Sequence, residues 1–172
     1  MEVRAKKALG QHFLTDQKVA RAIVDALDLT HADAQVLEVG PGMGVLTQYL
    51  LERKELDLKL VEIDGESVDY LLTHFPGMQG RLMQADFLRL PLEKVFPGDF
   101  LIIGNFPYNI SSQIFFKVLD YKDRVPEVVG MVQKEVAERI AEGPGSKTYG
   151  IHICILRIIF GVYFAIRAIS RG

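Results

Sequence analysis

The sequence predicts an α/β fold, a doubly wound and mostly parallel sheet with its ligands at the carboxyl ends of the strands. Three observations predict it. Short apolar runs alternate with segments of helical period along the chain. The turns rich in glycine, acid or proline fall at the carboxyl ends of those runs. The length of 172 residues suits one α/β domain with a sizeable core.

The elements follow in order. The start, Met1 to Lys7, lacks the apolar stretch of a signal peptide. Its Arg4, Lys6 and Lys7 form a basic arm that can contact phosphate, and a solvated terminus explains them as well. Ala8 to Leu14 leads into a helix that Thr15 or Asp16 can cap, with Val19, Ile23 and Leu27 as its core face. Strands are expected at Val36–Gly40, Leu58–Ile63, Arg81–Gln84, Phe100–Gly104 and Val128–Gln133. Helices are expected from about Val45 to Leu51, Ser111 to Leu119 and Lys134 to Ala141, and Gly143 to Ser146 marks a loop. The single cysteine, Cys154, excludes a disulfide framework, and no Cys/His cluster suggests a metal. A soluble intracellular protein is the expectation. A net charge of −2 leaves RNA binding to local patches.

Three motifs point to a nucleoside-bearing ligand. In Glu38-Val39-Gly40-Pro41-Gly42-Met43-Gly44, a strand enters a glycine turn where the backbone can approach a ligand. Such a turn can cradle a pyrophosphate. Here the upstream Glu38 suits a cationic, amino-acid-bearing ligand better, which points to S-adenosylmethionine. A bare tight turn remains the alternative. Glu62 and Asp64 end the second strand about 20 residues on, where a carboxylate can accept from both ribose hydroxyls; either can serve. Asp86, after the third strand, can accept from an adenine amino group or simply cap a turn. His12 and Leu14 lie in a segment that can close over such a ligand, although spacing alone reads His12 as an exposed histidine.

Asn105-Phe106-Pro107-Tyr108 follows the fourth strand and carries the chemistry. An exocyclic base nitrogen is a poor nucleophile because its lone pair is delocalised into the ring. The Asn105 amide oxygen and the Phe106 carbonyl can accept from that amine and draw the lone pair out of conjugation. Pro107 stiffens the turn, and Tyr108 offers a face for an extruded base. The tetrapeptide alone also fits a tight turn with a buried tyrosine.

Together these stretches resemble the ribosomal RNA adenine dimethyltransferase family. Gly10 to Leu14, Glu38 to Thr47, Glu62 to Asp64, Gln84 to Asp86 and Asn105 to Tyr108 carry the likeness, in order. Ile110 to Ile114, Met131 to Arg139 and Gly145 to Gly150 extend it. Gly40-Pro41-Gly42 with Leu46-Thr47 is closer to the bacterial small-subunit branch than to the 23S rRNA branch. The resemblance implies a Rossmann-like class I S-adenosylmethionine-dependent methyltransferase fold. It implies dimethylation of two adjacent adenosines near the 3′ end of 16S rRNA, with the small ribosomal subunit as partner, and neither metal nor membrane. His12, Leu14, Gly40, Gly42, Glu62, Asp86 and Asn105 would then contact the cofactor. Asn105, Pro107 and Tyr108 would hold the target base. The family more often has Asn at His12, and Leu or Ile at Phe106, a position that contributes mainly its carbonyl. A cofactor-binding RNA module without catalysis and a small-molecule methyltransferase are the alternatives.

The motif likeness stops at Gly150. Residues 151–172 are expected to be a divergent tail of the same domain, altered or truncated relative to the family, whose helical C-terminal domain is absent. His152, Arg157 and Arg167 interrupt its apolar run, so it is no membrane span. An apolar helix on the sheet and then a strand from about Val162 to Ile169 are expected. An exposed sheet edge predicts self-association.

Overall fold

The computed structural model describes residues 14–28, 34–133 and 136–137, and the backbone course of 153–159 and 163–169. The basic arm, His12 and the loop at Gly143 to Ser146 lie outside the described residues. So does the expected helix from Lys134 to Ala141, apart from Val136 and Ala137, which are helical and buried.

Helix α1 (Gln17–Asp25) is capped by Asp16 rather than Thr15. The Asp16 Oδ1 accepts from Lys18 N at 2.9 Å and Val19 N at 3.3 Å. Ala20, Ile23 and Val24 turn inward. Strands β1 (Gln35–Val39), β2 (Asp57–Glu62), β3 (Leu82–Gln84), β4 (Leu101–Asn105) and β5 (Glu127–Gln133) form a parallel sheet in the order β3-β2-β1-β4-β5. The apolar runs of β1, β2, β4 and β5 are buried because helices cover both faces, and the edge strand β3 is only partly buried. On one face Leu37, Val61, Ile102 and Val128 meet Ile114, Phe115 and Val118 of α4 (Ser111–Asp120). On the other, Val36, Leu60, Ile103 and Val129 meet α1 and α2 (Thr47–Leu50). Chain order reverses between β1 and β4, and this crevice is where such sheets bind ligands.

Helix α2 is shorter than the expected Val45–Leu51, because the glycine turn continues as turn structure through Leu46. Periodicity does not delimit α3 (Gly65–His74); its start is set by Asp64. The Oδ2 of Asp64 accepts from Ser67 N at 3.2 Å and Ser67 Oγ at 2.9 Å.

The tail differs from expectation. Where an apolar helix is expected, the chain forms strand β6 (Ile153–Ile159), and β7 (Tyr163–Ile169) follows it. β6 runs antiparallel to β5 from Glu127↔Ile159 to Gln133↔Ile153, and β7 antiparallel to β6. The physical reason is twofold. Ile153, Ile155, Ile158 and Ile159 are β-branched and favour a pleated surface. β5 also has a second edge whose N–H and C=O groups need partners.

Candidate functional site

A cavity of about 890 Å³ opens over the carboxyl ends of β1, β2 and β4. Leu14, Gly40, Gly42, Glu62, Asp86, Asn105 and Pro107 all line it. Tyr108 is not in its wall; it stands 39% exposed between Pro107 and Asn109, which are. Positions far apart in sequence meet because each lies at the end of a strand in one parallel sheet, or in the segment leading into α1.

The glycine turn is bonded internally. Gly40, Gly42 and Gly44 have φ of 67°, 56° and 78°, the left-handed region that side chains avoid. A Cβ on Gly44 would also lie 2.3 Å from Phe75 Cε2. Gly40 N donates to Val61 O at 2.9 Å, Gly42 N to Glu62 Oε2 at 3.0 Å and Gly44 N to Pro41 O at 2.8 Å. These three N–H groups are therefore engaged with the protein itself, the Gly42 N–H with a carboxylate. The turn is built unlike a phosphate cradle.

The acidic groups separate by role. Glu62, 4% exposed, accepts from Gly42 N and, through Oε1, from Asp64 N at 2.9 Å. Burial pushes its carboxyl up, and the N–H bonds from Asp64, Gly42 and Ile63 pull it back. Asp64 is engaged in capping α3, so of the two candidates only Glu62 lines the cavity. Glu38 is buried in the cavity wall and accepts from Thr47 Oγ1 at 2.7 Å. Burial pushes its carboxyl up to about 8; the Thr47 bond opposes this and the Glu62 charge adds to it. Asp86 takes the capping alternative and also stands at the cavity. Its Oδ1 caps the following turn by accepting from Leu88 N at 2.9 Å. His12 is outside the described residues.

The turn after β4 is seated on the sheet through a side chain. Phe106 N donates to Met131 O at 3.2 Å. The Phe106 ring, 4% exposed, lies over Gly104 and Gly130, which pair across β4 and β5. A Cβ on Gly130 would come within 2.1 Å of Phe106 Cε2, and one on Gly104 within 2.8 Å of Cε1. Phe115 of α4 meets the ring edge-on, centroids 5.6 Å apart at 88°. This residue thus does more than present a carbonyl: two bare strand positions form a slot for its ring. Spacing also missed Tyr70 and His74 of α3, which line the cavity with rings stacked at 3.8 Å. Their i,i+4 relation becomes visible only once α3 is delimited.

The sequence profile described as "Ribosomal RNA adenine dimethylase" matches residues 2–161. The chain belongs to the ribosomal RNA adenine dimethylase family. The family match continues past Gly150, where the motif likeness ends. Among relatives within the family, "Ribosomal RNA small subunit methyltransferase A" of Parabacteroides distasonis is 61% identical over 94% of this chain and 60% of its own. The protein of that name from Cytophaga hutchinsonii is 54% identical over 95% of this chain and 63% of its own. The chain therefore spans about three-fifths of the length of these family relatives. A solved structure, the 23S rRNA methyltransferase ErmE, superposes with a TM-score of 0.65 at 29% identity, over 80% of this chain and 54% of its own.

Among the described residues, no group of three or more His, Cys, Asp or Glu could hold a metal ion. Among them, too, no helix is long and apolar enough to cross a membrane.

Proposed function

We propose that this chain is the cofactor-binding, catalytic part of an rRNA adenine N6-dimethyltransferase. It would transfer methyl groups from S-adenosylmethionine to two adjacent adenosines near the 3′ end of 16S rRNA, in cytoplasmic biogenesis of the small ribosomal subunit. One observation carries the reading above all. Gly40, Gly42 and Gly44 give their N–H groups to protein acceptors, one of them the Glu62 carboxylate, and so the turn suits a nucleoside without phosphates. The remaining donor set fits the same ligand. Glu38, whose raised pKa a bound ammonium would pull back down, and Glu62 offer carboxyl oxygens for an ammonium and for ribose hydroxyls, and Asp86 for an adenine amine. Half-exposed Ile63 adds an apolar surface for a flat ring.

S-adenosylmethionine, when bound, supplies a methyl group already activated on sulfonium, so the protein needs to orient and desolvate more than to deprotonate. Asn105 closes β4 on the cavity side, on the sheet face it shares with Leu101 and Ile103. Its amide oxygen and the Phe106 carbonyl accept from the target amine and hold its lone pair out of the ring. Pro107 keeps the two acceptors in fixed relation, and Tyr108 stacks the extruded base. The amine proton becomes acidic after attack and passes to water.

The first test is calorimetric binding of S-adenosylmethionine to this chain beside Glu62→Ala. Saturable binding by the parent and its loss in the variant is the expected outcome. Absence of binding by the folded parent would remove the cofactor reading. Transfer to small-subunit rRNA is then measured beside Asn105→Ala, which is expected to abolish it while the fold is kept. Transfer by that variant at the parent rate would overturn the assignment of the site. Binding of cofactor and RNA without transfer by the parent would favour a non-catalytic module.

A further inference from the structure

Lys117 stands on α4 outside the cavity wall, yet it holds part of that wall in place. Its Nζ donates to Phe87 O at 2.6 Å and to Leu90 O. The same ammonium lies 5.1 Å from the centroid of the buried Phe87 ring. These groups belong to the turn that follows β3, in which Asp86, Phe87 and Leu88 line the cavity. The rest of that turn is held locally: Arg89 N and Leu90 N both donate to Asp86 O at 3.0 Å, and Leu88 N donates to Asp86 Oδ1. Lys117 bridges it to another element, thirty residues away along the chain from Phe87.

That element matters because α4 issues directly from the Asn105–Tyr108 turn. Phe115, two positions before Lys117, packs edge-on against Phe106. One helix therefore grips the target-base side through Phe115 and the Asp86 side through Lys117. An ammonium suits this work. It can donate to converging carbonyls at once, and burial lowers its pKa while the Asp86 and Glu93 carboxylates oppose that fall.

We propose that Lys117 is a positioning residue for the adenine end of the cavity: by gripping the Phe87 and Leu90 carbonyls it sets where Asp86 meets the cofactor's exocyclic amine. The proposal rests on the cofactor reading above. A methionine in its place keeps the apolar stem and loses every donor, leaving the Leu90 carbonyl without the ammonium and the Phe87 carbonyl with only the Leu90 N–H at 3.2 Å.

The test needs no turnover. Binding of S-adenosylhomocysteine and of S-inosylhomocysteine, which carries oxygen in place of the amine, is measured by calorimetry for the parent, Lys117→Met and Lys117→Arg, with circular dichroism as the check on folding. The parent is expected to prefer the adenine ligand, since a site built to accept from an amine rejects the analogue lacking it. Lys117→Met is expected to bind S-adenosylhomocysteine about tenfold more weakly and the inosine ligand with little change, so that the preference collapses. Lys117→Arg, which keeps donors for the carbonyls, should restore the preference. Retention of the parent's preference by Lys117→Met would overturn the proposal. Equal weakening toward both ligands would also overturn it, because that is the mark of a merely structural residue. A parent that binds both ligands alike overturns the proposal and leaves the cofactor reading standing. A folded parent that binds neither removes both.

Discussion

Replacing Glu38 by glutamine isolates the most unusual group in the cavity. The carboxyl is buried, bonded to Thr47 Oγ1, and pushed up to about 8 from an ordinary 4.5. The sign follows from proton counting. Between pH 4.5 and 8 the unfolded chain has released this proton and the folded chain has kept it, so the folded state binds more protons and stability falls as pH rises. The slope is about 1.4 kcal/mol per pH unit, and between pH 5 and 8 the loss integrates to roughly 3 to 4 kcal/mol. Glutamine preserves shape and still accepts from Thr47, but does not titrate. Glu62 shifts in the same direction, and its contribution is common to both proteins. Urea unfolding is followed by far-UV circular dichroism, since the chain has no tryptophan to report by fluorescence. The stability of Glu38→Gln relative to the parent should rise steadily across this pH range. Superposable pH profiles would mean that the folded chain ionises Glu38 at its ordinary pKa, contrary to this expectation.

The slot beneath Phe106 predicts strong coupling between two sites. Gly130→Ala should destabilise the chain by about 1 to 3 kcal/mol, because the added methyl meets the ring. In a Phe106→Leu background it should cost less than half as much, and a double-mutant cycle by urea unfolding that gave strict additivity would contradict this. Asp16→Ala removes the acceptor for two N–H groups at the start of α1 and should cost about 1 kcal/mol by the same measurement. β7 ends the described sheet on one side, so concentration-dependent self-association through its edge is expected in sedimentation velocity; a single species at every loading concentration would count against it.

What could be read in the sequence and what could not divides along one physical line. The five parallel strands are legible because strands buried on both faces must be continuous apolar runs, and their cavity positions because such sheets gather ligands at one end. Glu62, Asp86 and Asn105 meet for no other reason than strand register. The choice between Glu62 and Asp64 is not legible in the same way. Strand alternation puts both on one face, and only the Ser67 bonds to Asp64 show that the second acid is engaged in starting a helix. Nothing in the strand pattern marks Gly104 or Gly130, and the ring of Phe106 shows why their side chains are missing. Lys117 belongs to no sequence motif, and its role appears only when the turn after β3 is folded against it. Isoleucine-rich 153–159 is expected as an apolar helix, and the unpaired edge of β5 draws it into a strand instead. For Gly130, Lys117 and 153–159 the deciding partner lies on another element, so local pattern states what a residue can do, and the fold selects which of those things it does.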